Sequence, residues 1–415
     1  MSCAHGLLQN ETAFAIDASR IVFGAGCLDE LGAHAKSLGA TRVALFTDRA
    51  VGKLEHVARA RKSLQNASID VALYDAVRVE PTDASFLDAA RFAKEGRFDA
   101  YVSIGGGSTI DTCKAASLYA TFPAEFLDYV NAPVGAGKPV PGALPPHVAC
   151  PTTCGTGSET TGIAVCDVIA LKAKTGIASA RLRPTLALVD PTCTYTLPPE
   201  VVAASGFDVL CHALESFTAR PFSSRAPGLP RPMSQGRNPW SDIGSREALR
   251  IGGANLVAAV EGSESARAEL AWAATLAGVA FGNAGVHVPH AMAYAVAGLV
   301  RDFRMNGYPH EESMVPHGIS VVLAAPSAFR FTASTSPERH RLAAEMLGDR
   351  DGDLSRALET LMRQARVPVT LREVGYTKDD VRSLVKGTIV QTRLLSNAPR
   401  DVGEAELVEL FEGAL

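Results

Sequence analysis

The stretch Ala100-Tyr-Val-Ser-Ile-Gly-Gly-Gly-Ser-Thr-Ile-Asp111 runs from a β-rich segment through a glycine turn into the start of a helix. Gly105, Gly106 and Gly107 would let the backbone approach a phosphate closely. Free N–H groups and the helix dipole would then favour its negative charge. Glycine turns after strands also serve packing, and this one is not the G-x-G-x-x-G fingerprint. A second segment, Pro151-Thr-Thr-Cys-Gly-Thr-Gly-Ser-Glu-Thr160, follows another β-rich run and combines hydroxyls with glycines. Two such loops at strand ends suit a dinucleotide lying across the carboxyl edge of a parallel sheet. The candidate contacts are Gly105, Gly106, Gly107, Ser108 and Asp111 in the first loop, and Thr152 and Thr153 in the second.

Working outward, Thr41–Asp48, Ile69–Asp75, Val148–Pro151 and Thr185–Val189 read as further strands, with helix-like segments such as Ala84–Glu95 between them. Strands alternating with helices imply a parallel sheet covered on both faces. Asp48 closes its strand where a carboxylate would bond ribose hydroxyls and repel a 2′-phosphate, which favours NAD over NADP. The bland alternative is that it caps the following helix. After about residue 195 helical periodicity takes over, in Ala248–Val260, Ala266–Phe281, Ser320–Phe331 and Leu354–Gln364. The expected architecture is an α/β dinucleotide-binding domain over 1–195, followed by an all-helical domain over 196–415.

Within the helical half, Asp208-Val-Leu-Cys-His212 puts a carboxylate and an imidazole at i and i+4, on one helix face. His287-Val-Pro-His290 and Pro316-His317-Gly318 follow in apolar surroundings. Asp208, His212, His290 and His317 could form a three-nitrogen, one-oxygen site, a donor set that suits Fe²⁺, Zn²⁺ or a related ion. Any one of these histidines is more often a core residue than a ligand; the combination points to a metal. A metal beside a dinucleotide implies one chemistry: the cation polarises a substrate oxygen while hydride passes to or from the nicotinamide. Tyr294, one turn beyond His290, and His287, one turn before it, are the candidates for moving the alcohol proton.

These motifs resemble the iron-containing (group III) alcohol dehydrogenase family, over nearly the whole chain. The resemblance rests on Gly105–Asp111, Pro151–Glu159, Asp208-x-x-x-His212 with Ala213-Leu-Glu215, His290-Ala-Met-Ala and Pro316-His-Gly318. It implies the dehydroquinate synthase-like, iron alcohol dehydrogenase fold, with the active site between its two domains. It also implies metal binding by Asp208, His212, His290 and His317, cofactor contacts at Asp48, the two loops and Lys174, and a homo-oligomer. Many members carry His-x-x-x-His where this chain has His290-x-x-x-Tyr294, so the usual proton relay is altered here.

The helical half is most similar to the hydroxyacid–oxoacid transhydrogenase branch. That resemblance implies oxidation of 4-hydroxybutyrate to succinic semialdehyde with reduction of 2-oxoglutarate to 2-hydroxyglutarate, the NAD staying bound. An ordinary NAD-linked alcohol or 4-hydroxybutyrate dehydrogenase, releasing NADH every turnover, would show the same motifs. Both substrates of the branch are carboxylates. Arg225 and Arg231, in an arginine- and proline-rich insertion over Arg220–Asp242, are the expected carboxylate binders.

Bulk properties narrow the class. A net charge of −4 without a basic stripe argues against nucleic acid, and no apolar run reaches the length of a membrane span. The eight scattered cysteines lack a CxxC pair, which fits a reducing compartment. The N-terminal stretch MSCAHGLLQNETAF has no charged region followed by an apolar one. From these the expected address is the cytoplasm.

Overall fold

A computed structural model describes residues 10–171, 173–309 and 313–415; the start of the N-terminal stretch, residues 1–9, lies outside them. Six strands form one parallel sheet: β1 (Arg20–Phe23), β2 (Arg42–Asp48), β3 (Asp70–Val77), β4 (Ala100–Gly105), β5 (His147–Pro151) and β8 (Leu186–Val189). Their order is β1-β8-β5-β4-β2-β3. Side chains alternate across the sheet, as the two-residue period of a strand requires. In β2, Val43 and Leu45 join one apolar cluster with Leu31, Val57 and Leu64. Ala44 and Phe46 join another on the opposite face, with Ala89 and Cys113. Helices therefore cover both faces, as the alternating sequence implied.

The order of the strands locates the crevice. β2 is flanked by β3 on one side and β4 on the other, so successive crossovers leave it in opposite directions. The gap outside the carboxyl ends of β2 and β4 is the topological switch point, where open α/β sheets take their ligands. Asp48 ends one of these strands and Gly105 the other.

A two-stranded antiparallel hairpin, β6 (Ile163–Val168) with β7 (Ala173–Ala178), was not anticipated. Beyond Pro199 the regular elements among the described residues are helices, joined by loops, with one isolated bridge between Pro221 and Arg237. The helix Pro199–Thr218 is the axis of this half, and every residue from Val201 to Thr218 is buried. It is apolar nearly all round, the character of a helix enclosed by others. The helices Pro239–Val260, Glu264–Ala284 and His317–Thr332 pack around it. Residues before β1 reach across to this half: the Ala15 amide donates to Gln235 Oε1 at 2.8 Å, and the Asp17 amide to Asn283 Oδ1 at 2.8 Å.

Candidate active site

The central helix presents Asp208, His212 and Glu215 at i, i+4 and i+7, one face of a 3.6-residue period. Two other elements converge on that face. The helix Val288–Gly298 follows directly on His287, with Pro289 in its first turn, a position where a missing N–H costs nothing. It delivers His290. The helix His317–Thr332 delivers His317, and Gly318 explains how closely it approaches. A Cβ on Gly318 would sit 1.9 Å from the Ala204 carbonyl oxygen and 3.0 Å from Asp208 Cβ.

Asp208, His212 and His290 offer ligand atoms that all lie within 4.8 Å of one another. Asp208 Oδ1 is 3.6 Å from His212 Nδ1, 3.6 Å from His290 Nε2 and 3.8 Å from His317 Nε2. His290 Nε2 and His212 Nε2 are 3.0 Å apart. Yet Asp208 Oδ1 and His212 Nδ1 are buried without a hydrogen bond. Buried polar atoms are nearly always satisfied, and an orphaned carboxylate oxygen ringed by imidazole nitrogens fits a divalent cation. Burial works to raise the Asp208 pKa, but the surrounding imidazoles of His212, His317 and His290 pull it below the ordinary carboxylate range. Burial drives His212 down to about 3, the neutral form that ligates a metal.

Glu215, quoted in the motif, is the residue to which the reading of the sequence gave no role. Its Oε1 bonds His290 Nδ1, and its Oε2 accepts from the His287 amide at 2.5 Å. A carboxylate behind a ligating histidine fixes its tautomer and ring orientation, here turning His290 Nε2 to the centre. The signal was present: a Glu one turn past His212, on the ligand face of a helix too apolar to solvate it. Phe281 stacks on His212 with ring centroids 3.9 Å apart and holds that ring too.

The proton-transfer candidates separate. His287 is fully buried, with Nε2 3.0 Å from Thr218 Oγ1. Tyr294 is half-buried and lines an open cavity. Burial raises its pKa, with Arg393 and Lys174 opposing.

The two loops meet at the switch point. A Cβ on Gly106 would lie 3.1 Å from Thr153 Cγ2, and one on Gly107 2.5 Å from Thr156 Cγ2, so these glycines let the second loop pack on the first. The Thr152 amide donates to the Gly105 carbonyl at 3.0 Å, and the Thr152 hydroxyl is buried without a partner. Ser108 Oγ accepts from the Glu80 amide at 3.2 Å. Asp48 Oδ1 accepts from the Ala50 and Val51 amides at 2.8 and 2.9 Å, so one of its oxygens caps the turn. Asp111 faces inward: Oδ1 accepts from Ser158 Oγ and Oδ2 from the Val165 amide at 2.9 Å. Lys174 lies 2.5 Å from Glu80 Oε2 and 3.3 Å from Asp167 Oδ2.

The two expected substrate arginines already have a carboxylate. Arg231 Nη2 lies 3.1 Å and Arg225 Nη2 3.8 Å from Glu11, so the insertion folds down on the N-terminal segment.

Comparison with known proteins agrees with this geometry. Residues 18–191 match the family model described as iron-containing alcohol dehydrogenase, and residues 232–415 that of the C-terminal part of the Fe-containing alcohol dehydrogenase family. The chain is 50% identical over 419 residues to the mitochondrial hydroxyacid-oxoacid transhydrogenase of Rattus norvegicus, covering 97% of this chain and 90% of the relative. The protein of that name from Homo sapiens is 47% identical over the same shares. Among solved structures, 1,3-propanediol oxidoreductase superposes with a TM-score of 0.85 at 27% identity, over 97% of this chain and 100% of that one. The iron-containing alcohol dehydrogenase from Thermococcus thioreducens gives 0.83 at 27% identity, over 97% and 99%. The expected cytoplasmic address is overturned by the same relatives, which are named as mitochondrial. The described cysteines are free and buried, but free thiols do not separate one reducing compartment from another.

Proposed function

The chain belongs to the iron-containing alcohol dehydrogenase family, and from that premise we propose that it exchanges hydride between a hydroxy acid and an oxo acid. The substrates are 4-hydroxybutyrate, oxidised to succinic semialdehyde, and 2-oxoglutarate, reduced to 2-hydroxyglutarate, with NAD retained on the protein. The reading is carried by near full-length identity of about half to relatives named for this exchange, together with the orphaned Asp208 oxygen among three imidazoles.

Bound here, a divalent cation would supply Lewis acidity to the substrate oxygen and NAD the hydride acceptor. Asp208, His212, His290 and His317 would hold the cation, Fe²⁺ in our reading, with Zn²⁺ the alternative that elemental analysis distinguishes. Glu215 keeps His290 aimed at it. The first turn of the helix Gly107–Thr121 offers N–H groups to a pyrophosphate, with Ser108, Thr152 and Thr153 at its rim. Tyr294 lines the recess and keeps its proton at neutral pH; in our reading its hydroxyl hands that proton to the oxo acid as it is reduced, and the phenolate left behind takes the proton of the hydroxy acid as it is oxidised. His287 shares its Nε2 with Thr218 in the interior, and Tyr294 is the assignment we prefer. We extend the family's oligomeric habit to this chain, and sedimentation of the purified protein tests it.

The deciding experiment supplies purified, metal-replete protein with 4-hydroxybutyrate, with and without 2-oxoglutarate and with no added NAD. Many turnovers of semialdehyde only when the oxo acid is present is the expected result. No turnover until free NAD is added, with NADH then accumulating, would mean an ordinary dehydrogenase.

A further inference from the structure

One basic side chain at the cleft is used by neither the metal centre nor the dinucleotide loops. A small recess opens between the 131–134 loop, the β6–β7 hairpin, Tyr294 and residues 390–393. Arg393 lines it, and among the described residues no carboxylate pairs with its guanidinium. Arg225, Arg231 and Lys174, by contrast, spend their charge on acids of the chain itself. The backbone at Arg393 is anchored by its neighbours. Its neighbours Leu394 and Leu395 are buried against Ala291, on the same helix as His290 and Tyr294.

His290, at the candidate metal centre, and Tyr294, which lines the recess with Arg393, are neighbours one turn apart on the same helix. In 4-hydroxybutyrate four bonds separate the reacting oxygen from the carboxylate carbon. In 2-oxoglutarate four bonds separate the keto oxygen from the distal carboxylate carbon. At single-bond lengths near 1.5 Å, both span roughly 5 Å when extended.

We propose that Arg393 is the specificity-determining residue: with the substrate oxygen at the metal centre, its guanidinium binds the carboxylate four bonds away, in the hydroxy acid and the oxo acid alike. One planar fork matched to one carboxylate then serves both half-reactions. This inference rests on the proposed exchange of hydride between acids.

The test compares wild type with Arg393→Ala and Arg393→Lys on 4-hydroxybutyrate, its three- and five-carbon ω-hydroxy homologues, 2-oxoglutarate and 1-butanol. Unreactive succinate serves as a competitive inhibitor, and melting temperature and metal content check integrity. In wild type the four-carbon acid should be preferred. Arg393→Ala should lower the acid-to-butanol ratio of kcat/KM roughly 10- to 100-fold, mostly through KM. It should weaken both half-reactions together and raise the inhibition constant of succinate, and Arg393→Lys should recover part of each. A wild type that prefers the acids and a variant with an unchanged ratio would overturn the role of Arg393 and leave the exchange reading standing. A wild type that prefers butanol to every acid would overturn both. Should Arg393→Ala fail to fold, Arg393→Lys carries the test: a ratio and a succinate constant equal to wild type would refute a bidentate guanidinium contact.

Discussion

Two buried polar clusters, one in each half of the molecule, look alike in sequence and differ in completeness. In the α/β half, Lys114 Nζ donates to Ser158 Oγ at 2.6 Å and the Ile163 carbonyl at 2.7 Å, and lies 3.4 Å from Asp111 Oδ1. Ser158 and the Val165 amide complete the Asp111 carboxylate. In the helical half, Asp208 Oδ1 and His212 Nδ1 have no hydrogen bond, although charged or polar atoms surround them. Both clusters sit in motif-like segments with an Asp near a turn of helix. A network that satisfies itself pins structure; one that leaves buried atoms orphaned is built for something else to complete. The first fastens the glycine-turn helix to the hairpin. The second is the ligand set that we propose for a metal.

Breaking each cluster should therefore have opposite consequences. Asp208→Asn removes the only carboxylate among the four candidate ligands. Turnover and bound metal should fall together, by about 10³-fold or more in rate if the cation contributes several kcal/mol. The melting temperature of the metal-free protein should hardly move, and metal retained with full activity would undo the assignment. Lys114→Met strands Asp111 in the interior. It should cost about 3–5 kcal/mol of stability in denaturant titrations, as breaking a buried pair does, while metal content per folded molecule stays constant. Loss of metal at unchanged stability would erase the contrast.

Smaller changes sharpen it. Glu215→Gln keeps the shape but weakens the hold on His290, and should lower metal affinity about 10–100-fold. Equilibrium titration with the metal measures this, and an affinity equal to wild type would make Glu215 a packing residue. The smallest effect belongs to a self-contained histidine of the sheet. His147 Nε2 is 2.8 Å from Ser103 Oγ, and burial pushes its pKa down to about 3. It stays neutral when folded and takes up a proton on unfolding below its ordinary pKa of about 6.5. Its contribution is thus fully present above that pH and is lost as pH falls toward about 3, at most about 1.4 kcal/mol per pH unit. His147→Gln should reduce proton uptake on unfolding at pH 5 by about one, read from the slope of stability against pH. An unchanged slope would mean that the ring is protonated in the fold.

Local patterns carried much of the architecture. The β-rich run Thr41–Asp48 reappears as β2 and the glycine turn as the end of β4, because strand alternation and turn chemistry are written in short windows. Helix starts were less legible. The segment read from Ala248 begins at Pro239, where Asn238 and Ser241 form a capping box that was there to be seen. The β6–β7 hairpin was missed because its residues alternate poorly and are stabilised by one another and by the helix beneath. At the site, the i, i+4 spacing pointed to Asp208 and His212, whereas Glu215, in the same period and quoted within the motif, was given no role. Asp111 and Lys174 were expected to face a cofactor; the fold gives Asp111 to Ser158 and Val165, and Lys174 to Glu80 and Asp167.

By itself the sequence determined that strands alternate with helices in the first half and that helices fill the second. It also determined that glycines follow a strand and that a carboxylate and an imidazole share one helix face. Each depends on neighbours within a turn or two. Tertiary structure alone decided that His290 and His317 meet Asp208, that Arg225 and Arg231 go to Glu11, and that Arg393 is left facing the cavity. The reason is physical. Whether a buried charge finds a partner depends on which distant segments packing brings within about 4 Å, and no local periodicity records that distance.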